Sequence, residues 1–275
     1  MNEYLRLLRE SFMKNNSVVC FGMDPDIDRM RFRSMDRLYM RIAGYFIEIM
    51  EGIRDRISAV KPNIGYYLRY GEEGLKALNE ILKKARDFSL PIILDIKAGD
   101  IGKTSKAYAE FAFKQLKVDA VTLNPYLGIG ALAPFFEYRE KGFYILTLTS
   151  NPEAREIEYL LTEGGKKVYE HVFSSVIELN RKNPGAGVVI GATQGAETGA
   201  LIKDLAETDR IIPVLIPGVG SQGGDYKKII FWFRSYGYPE FSVRINLSSH
   251  IAYAHERFKG LGWVEAARKA VEELE

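Results

Sequence analysis

The sequence predicts a (β/α)8 TIM barrel, one domain spanning residues 1–275, with an extra helix ahead of the first strand. Three observations lead there. Eight short apolar or β-branched runs recur along the chain, each ending in polar or glycine-rich residues. Amphipathic, charge-rich segments with helical spacing lie between them, and no linker rich in Pro, Gly or Ser divides the chain. Continuous apolar strands alternating with helices indicate a parallel sheet covered by helices. Eight such units suit a closed barrel better than an open doubly wound sheet. With 275 residues, 47% hydrophobic and 27% charged, the chain has an ordinary globular composition and enough length to bury a substantial core.

The opening "MNEYLRLLRESF" has helix-like spacing with charges throughout, unlike the basic-then-apolar layout of a signal peptide. The strand candidates are then "SVVCFGMDPD" (17–26), "ISAVKPNIG" (57–65), "PIILDIKAGD" (91–100) and "AVTLNPYLG" (120–128). After them come "FYILTLTSNP" (143–152), "GAGVVIGAT" (185–193), "IIPVLIPGVG" (211–220) and "FSVRINLSS" (241–249). Helical spacing marks "RLYMRIAGYFIEIMEGIRDR", "GLKALNEILKKARDF", "KVYEHVFSSVIELNRK" and "DYKKIIFWFRSYG". No G-x-G-x-x-G fingerprint follows the first strand, which argues against a dinucleotide-binding sheet.

Composition also excludes function classes. A formal net charge of +2 from well-mixed signs gives no case for nucleic acid or an acidic membrane as partner. The single cysteine, Cys20, rules out an intrachain disulfide framework and a thiolate metal cluster; in its apolar run it reads as a small core residue. No apolar stretch approaches the roughly 18 residues of a membrane span. The expected setting is the cytoplasm.

In such barrels the active site forms at the carboxyl ends of the strands. Those ends carry Asp24, Lys61, Asp95 with Lys97, Asn124, Ser150, Thr193, and Asn246 with Ser248. Side chains two apart on a strand share a face, so Asp95 and Lys97 point one way and Leu94 and Ile96 the other. Lys61 ends the preceding strand and Asp100 begins the following loop, completing an alternating carboxylate–ammonium row. One reading is an ion-pair network that merely closes the barrel end; such pairs are weak devices for stability. The other is metal-free acid–base and electrostatic chemistry. A substrate carboxylate about 4 Å from Asp95 would be repelled by about 4 kcal/mol at an effective dielectric near 20. Its loss as carbon dioxide relieves that repulsion and leaves a carbanion facing Lys97, which can supply a proton. Aldol and proton-transfer chemistry could use the same residues. Near the seventh strand, "IPGVGSQGGD" offers backbone N–H groups and Gln222 for an anion, or simply a tight turn.

The ordered motifs "FGMDPD", "VKPN", "LDIKAGDIGKTSKAYA", "AVTLNPYLG", "TSNP" and "PGVGSQGGD" resemble the orotidine 5′-phosphate decarboxylase family, in its longer-chain subgroup. The resemblance implies conversion of orotidine 5′-monophosphate (OMP) to uridine 5′-monophosphate (UMP) and carbon dioxide, in pyrimidine biosynthesis, without cofactor or metal. It places the catalytic tetrad on Lys61, Asp95, Lys97 and Asp100, with Lys97 the proton donor and Asp95 facing the leaving carboxylate. Asp24 and Lys61 would contact ribose hydroxyls, Ser150 the pyrimidine, Pro217 its apolar wall, and Gln222 the phosphate. A homodimer would share its sites, Asp100, Ile101 and Thr104 reaching the partner's pocket. Two positions depart from the family pattern. Ala98 stands where the subgroup usually has arginine, and Ser249, followed by His250, stands where a phosphate-clamping arginine is expected. A serine cannot replace a bidentate guanidinium, so His250, Arg244 or a basic residue of a neighbouring loop would have to compensate. Otherwise the substrate differs or activity is weak. The alternatives are a magnesium-dependent sugar-phosphate lyase of the same barrel type, such as the hexulose-phosphate synthases, and a non-catalytic nucleotide-binding relative. His171 and His255 read as surface or packing residues.

Overall fold

The computed structural model describes residues 2–30, 32, 36–220 and 222–274. Each of the eight apolar runs yields a strand: β1 (Val19–Met23), β2 (Ala59–Pro62), β3 (Ile93–Ala98), β4 (Ala120–Leu123), β5 (Gly142–Leu148), β6 (Ala186–Ile190), β7 (Val214–Ile216) and β8 (Val243–Leu247). The paired strands are parallel, in the order β2-β1-β8-β7-β6-β5-β4-β3. Parallel bridges Val60–Ile92 and Asn63–Asp95 join β2 to β3 across the remaining gap. The architecture is a TIM barrel.

Strand parity sorts the core into two layers. Leu94, Val121 and Leu123 face outward and pack under the helices, while Ile93 and Ala120 face inward with Cys20, Ala59, Tyr144 and Leu215. Burial pushes the Cys20 thiol up to about 12, so it packs as an inert apolar group. The covering helices are built as amphipathic stripes. In the helix Gly71–Asp87, Ala77, Leu78, Ile81, Leu82 and Ala85 face the sheet, with Glu72 and Glu73 in the first turn and Lys84 and Arg86 in the last. That charge order complements the helix dipole.

The expected extra helix spans Glu3–Asn15, capped by Asn2, whose side chain accepts from Leu5 N, and ended by Asn16 in the left-handed region. It plugs the amino-terminal end of the barrel. Tyr4 and Tyr144 hydroxyls lie 2.8 Å apart, and a Cβ at Gly142 would lie 2.3 Å from the Tyr4 ring. Arg244 belongs to this plug. It is fully buried and donates to the Phe241, Val243 and Leu8 carbonyls at 3.0, 2.7 and 2.8 Å. The expectation that Arg244 could compensate for Ser249 is therefore corrected. It points inward, but near the start of β8, at the end opposite the strand termini where a ligand would bind.

Candidate active site

A cavity of about 1120 Å³ opens at the carboxyl ends of the strands. Asp24, Lys61, Asp95, Lys97, Ser150, Pro217 and Gln222 all line it. On one side its wall is apolar, with Leu146, Val189 and Leu215; on the other stand the charged groups of β2 and β3.

Asp95 is the hub. Its Oδ2 accepts from Lys61 Nζ at 2.8 Å, and its Oδ1 from Lys97 Nζ at 2.6 Å and Thr122 Oγ1 at 2.8 Å. Burial by itself would raise the Asp95 pKa, but the two ammonium groups outweigh it and hold the carboxyl well below the usual carboxylate range. Burial likewise opposes charge on Lys61, and Asp95, then Asp24, more than offset it, so Lys61 is held above its ordinary value. The Lys97 side chain is about half exposed towards the cavity, whereas those of Lys61 and Asp95 are nearly enclosed. The row is thus a fixed base with one accessible ammonium.

Lys97 reaches this place by an unusual backbone. Its φ is +47°, a region costly for a side-chain-bearing residue, and the β3–β4 register shifts between Leu94 and Ala98. Its N–H donates to Thr122 Oγ1 at 3.0 Å rather than continuing the ladder. Thr122 therefore holds both the Lys97 backbone and the Asp95 carboxylate.

Around this row, Tyr253 Oη donates to the Asp24 carbonyl at 2.7 Å and accepts from Asp26 N at 2.8 Å. The strand end is fixed, while the buried Asp24 Oδ1 has no hydrogen-bond partner. Asp24 itself lines the cavity, so its carboxylate stands where a ligand would bind. In the glycine turn, Gly218, Gly220 and Gly223 have φ of +88°, +81° and +92°, and Gly224 N returns to Gly218 O at 3.0 Å. This fold-back presents Gln222 to the cavity; Ser221 lies outside the described residues.

Five expected site residues are not brought to the cavity within this chain. Asp100 is partly exposed, its Oδ1 accepting from Ile101 N at 2.7 Å. Ile101 and Thr104 are exposed beside it. Ser249 and His250 follow β8 behind the glycine turn. A Cβ on Gly220 would lie 3.3 Å from the His250 ring, and Arg257 Nη2 is 3.3 Å from His250 Nε2. Burial, then Arg257, lowers the His250 pKa, favouring the neutral ring.

Sequence reasoning missed Thr122, Asn246 and His171 as cavity-lining groups. Thr122 had a readable signal, being a polar residue at an inward position of an apolar strand. Asn246 was noticed at its strand end without a role; its Oδ1 is buried and unpartnered. His171 is exposed, as expected of a surface residue, but stands at the cavity rim. His255 packs against Tyr45 and Tyr253.

Comparison with known proteins adds an independent line. A model described as the orotidine 5′-phosphate decarboxylase / HUMPS family matches residues 18–230. An orotidine 5′-phosphate decarboxylase of Herpetosiphon aurantiacus is 35% identical over 269 residues, 98% of this chain and 95% of that protein. One from Thermomicrobium roseum is 34% identical over 264 residues, covering 96% of this chain and 90% of the relative. Among solved structures, Leishmania donovani OMP decarboxylase superposes with a TM-score of 0.79 at 27% identity, covering 100% of this chain and 96% of that one.

Proposed function

Because the chain belongs to the orotidine 5′-phosphate decarboxylase / HUMPS family, we propose that it is a carboxy-lyase converting OMP to UMP and carbon dioxide in pyrimidine biosynthesis. The observation that carries this reading is the Lys61–Asp95–Lys97 row, bonded at 2.8 and 2.6 Å and opening on one accessible ammonium. With the pyrimidine against Ser150 and Pro217, its carboxylate faces Asp95, which stays ionised. Repulsion between the two anions raises the bound substrate in energy and is relieved when the carbon–carbon bond breaks. The bonding electron pair remains on the ring carbon, beside the Lys97 ammonium. Lys97 transfers a proton to that carbon, completing UMP, and the resulting neutral amine is reprotonated from solvent. Asp24 and Lys61 take the ribose hydroxyls, and Gln222 the phosphate. Ser249 and His250 are assigned to the phosphate end, with Arg257 the nearby cation.

The reading includes a single domain without cofactor, a cytoplasmic setting and no nucleic-acid or membrane partner. Among the described residues, no helix is long and apolar enough to cross a membrane. It also includes a homodimer, in which Asp100, Ile101 and Thr104 complete the partner's cavity. Supporting this, Ile101 is 60% exposed, and the segments after β2, β3 and β4 also expose Leu68, Tyr108, Tyr126 and Leu127. Such apolar exposure suits an interface. Ile101→Asp is expected to shift the protein to monomer in sedimentation and to lower turnover at least tenfold. A monomeric wild type with full activity would overturn the shared-site arrangement.

The direct test follows UMP formation from OMP by chromatography, with and without a chelator. Chelator-insensitive conversion is expected. An enzyme that leaves OMP intact but cleaves or forms a hexulose phosphate with magnesium would be the sugar-phosphate lyase instead. Tight UMP binding without turnover would mark a non-catalytic relative.

A further inference from the structure

The residues just past β5 are held by more side chains than a plain loop needs. Thr149 N donates to Glu158 Oε2 at 2.8 Å, and Thr149 Oγ1 lies 2.6 Å from Glu158 Oε1. On the other side, Gln194 Nε2 donates to Thr149 O at 2.7 Å and Thr193 Oγ1 to Ser150 O at 2.6 Å. Two glycines then fit closely around Ser150: a Cβ at Gly191 would lie 2.7 Å from Ser150 Cα, and one at Gly218 would lie 2.7 Å from Ser150 Cβ. Backbone and side chain of Ser150 are thereby confined where the residue lines the cavity.

Glu158 arrives from a segment that leaves β5, makes the short helix Pro152–Glu156 and folds back. The fold-back is closed by Tyr169 N donating to Glu158 O at 3.0 Å and by Tyr159 Oη donating to Gln194 Oε1 at 3.1 Å. Burial raises the Glu158 pKa, so the carboxylate gives up hydration to stand where it does. Partial burial of a charge is a poor route to stability, but a rigid acceptor is a good way to fix a binding group.

We infer that Glu158 is a positioning residue for substrate recognition, acting through Thr149 to hold Ser150 in register for the pyrimidine. The inference rests on the functional reading above, in which Ser150 contacts the base. Displacing a binding group by about an ångström can cost up to a hundredfold in rate. Glu158→Ala is therefore expected to lower kcat/KM for OMP by about tenfold or more. Glu158→Gln, which can still accept from Thr149 N and donate to Thr149 Oγ1, should stay within about threefold of wild type.

The decisive measurement is a double-mutant cycle with Ser150→Ala. If Glu158 acts through Ser150, adding Glu158→Ala to Ser150→Ala lowers kcat/KM by less than about twofold further. Losses that multiply, or a Glu158→Ala enzyme with wild-type kinetics, would overturn the inference. Should Glu158→Ala fail to fold, Thr149→Val, which deletes the hydroxyl contacts with Glu158 and Asn151 and keeps the bond from Thr149 N to Glu158, must show the same coupling to Ser150→Ala. Amide exchange at Thr149 separates this inference from the functional reading. A wild type that leaves OMP intact refutes the reading alone, whereas unchanged Thr149 exchange in Glu158→Ala refutes the positioning role alone.

Discussion

Lys97→Ala abolishes carbon dioxide release, lowering kcat by about 10⁴-fold or more, while UMP still binds within a few-fold of wild type. The magnitude combines two roles in one side chain. A positioned general acid contributes about 10²–10⁴, and a preorganised charge beside a developing anion another 10²–10³. Both come from the half-exposed Lys97 ammonium, 2.6 Å from Asp95. The fold should survive, because Asp95 keeps Lys61 at 2.8 Å and Thr122 at 2.8 Å. The left-handed backbone at Lys97 costs alanine about what it costs lysine. Single-turnover kinetics and calorimetric titration with UMP check the two halves. A variant keeping more than about a hundredth of wild-type kcat would remove Lys97 from the proton-donor role.

The barrel was legible because its signal is local. A continuous apolar run of four to eight residues is read within one segment, and all eight runs formed strands. Asp95 and Lys97 were legible by parity. Yet Lys97 reaches Asp95 through a positive φ and a register shift, which a period of two does not anticipate. What remained hidden lies across strands. Thr122 binds β3 from β4, and Glu158 binds the β5 end from a fold-back, so neither link has a spacing to read. Arg244 shows the complementary failure: it was offered as a substitute cation from its nearness to Ser249 in sequence, and it sits at the plugged end. Asp100 is adjacent to the row in sequence and separate from it in the single chain, because the turn after Ala98 carries it away.

Asp95→Asn keeps the shape of the hub and removes its charge, and it should be costly for both stability and catalysis. Lys61, 4% exposed, is left as a buried ammonium with Asp24 as its remaining carboxylate neighbour. Breaking a buried pair by removing one partner costs about 3–5 kcal/mol, or roughly 10 °C in Tm for a chain of this size. Turnover should fall by about 10³-fold, the equivalent of the lost repulsion of about 4 kcal/mol. The pH dependence distinguishes this cause from a packing defect. In the wild type the Asp95 pKa lies below its ordinary 3.8, so its pairing contributes fully above the unfolded value and is lost as pH falls through the folded one. The Lys61 pKa lies above its ordinary 10.5, so its contribution is complete below the unfolded value and is lost only as pH rises through the folded one. Stability from the pair should therefore be flat across the neutral range. In Asp95→Asn, burial is no longer offset by Asp95 and pulls the Lys61 pKa down. The variant then recovers stability as rising pH allows Lys61 to deprotonate. Thermal melts from acid to alkaline pH at fixed salt should show the gap between the two proteins widest near neutrality and narrowing at both ends. Parallel curves would mean that Asp95 stabilises the barrel by packing, and the charged row would lose its claim to be an electrostatic unit.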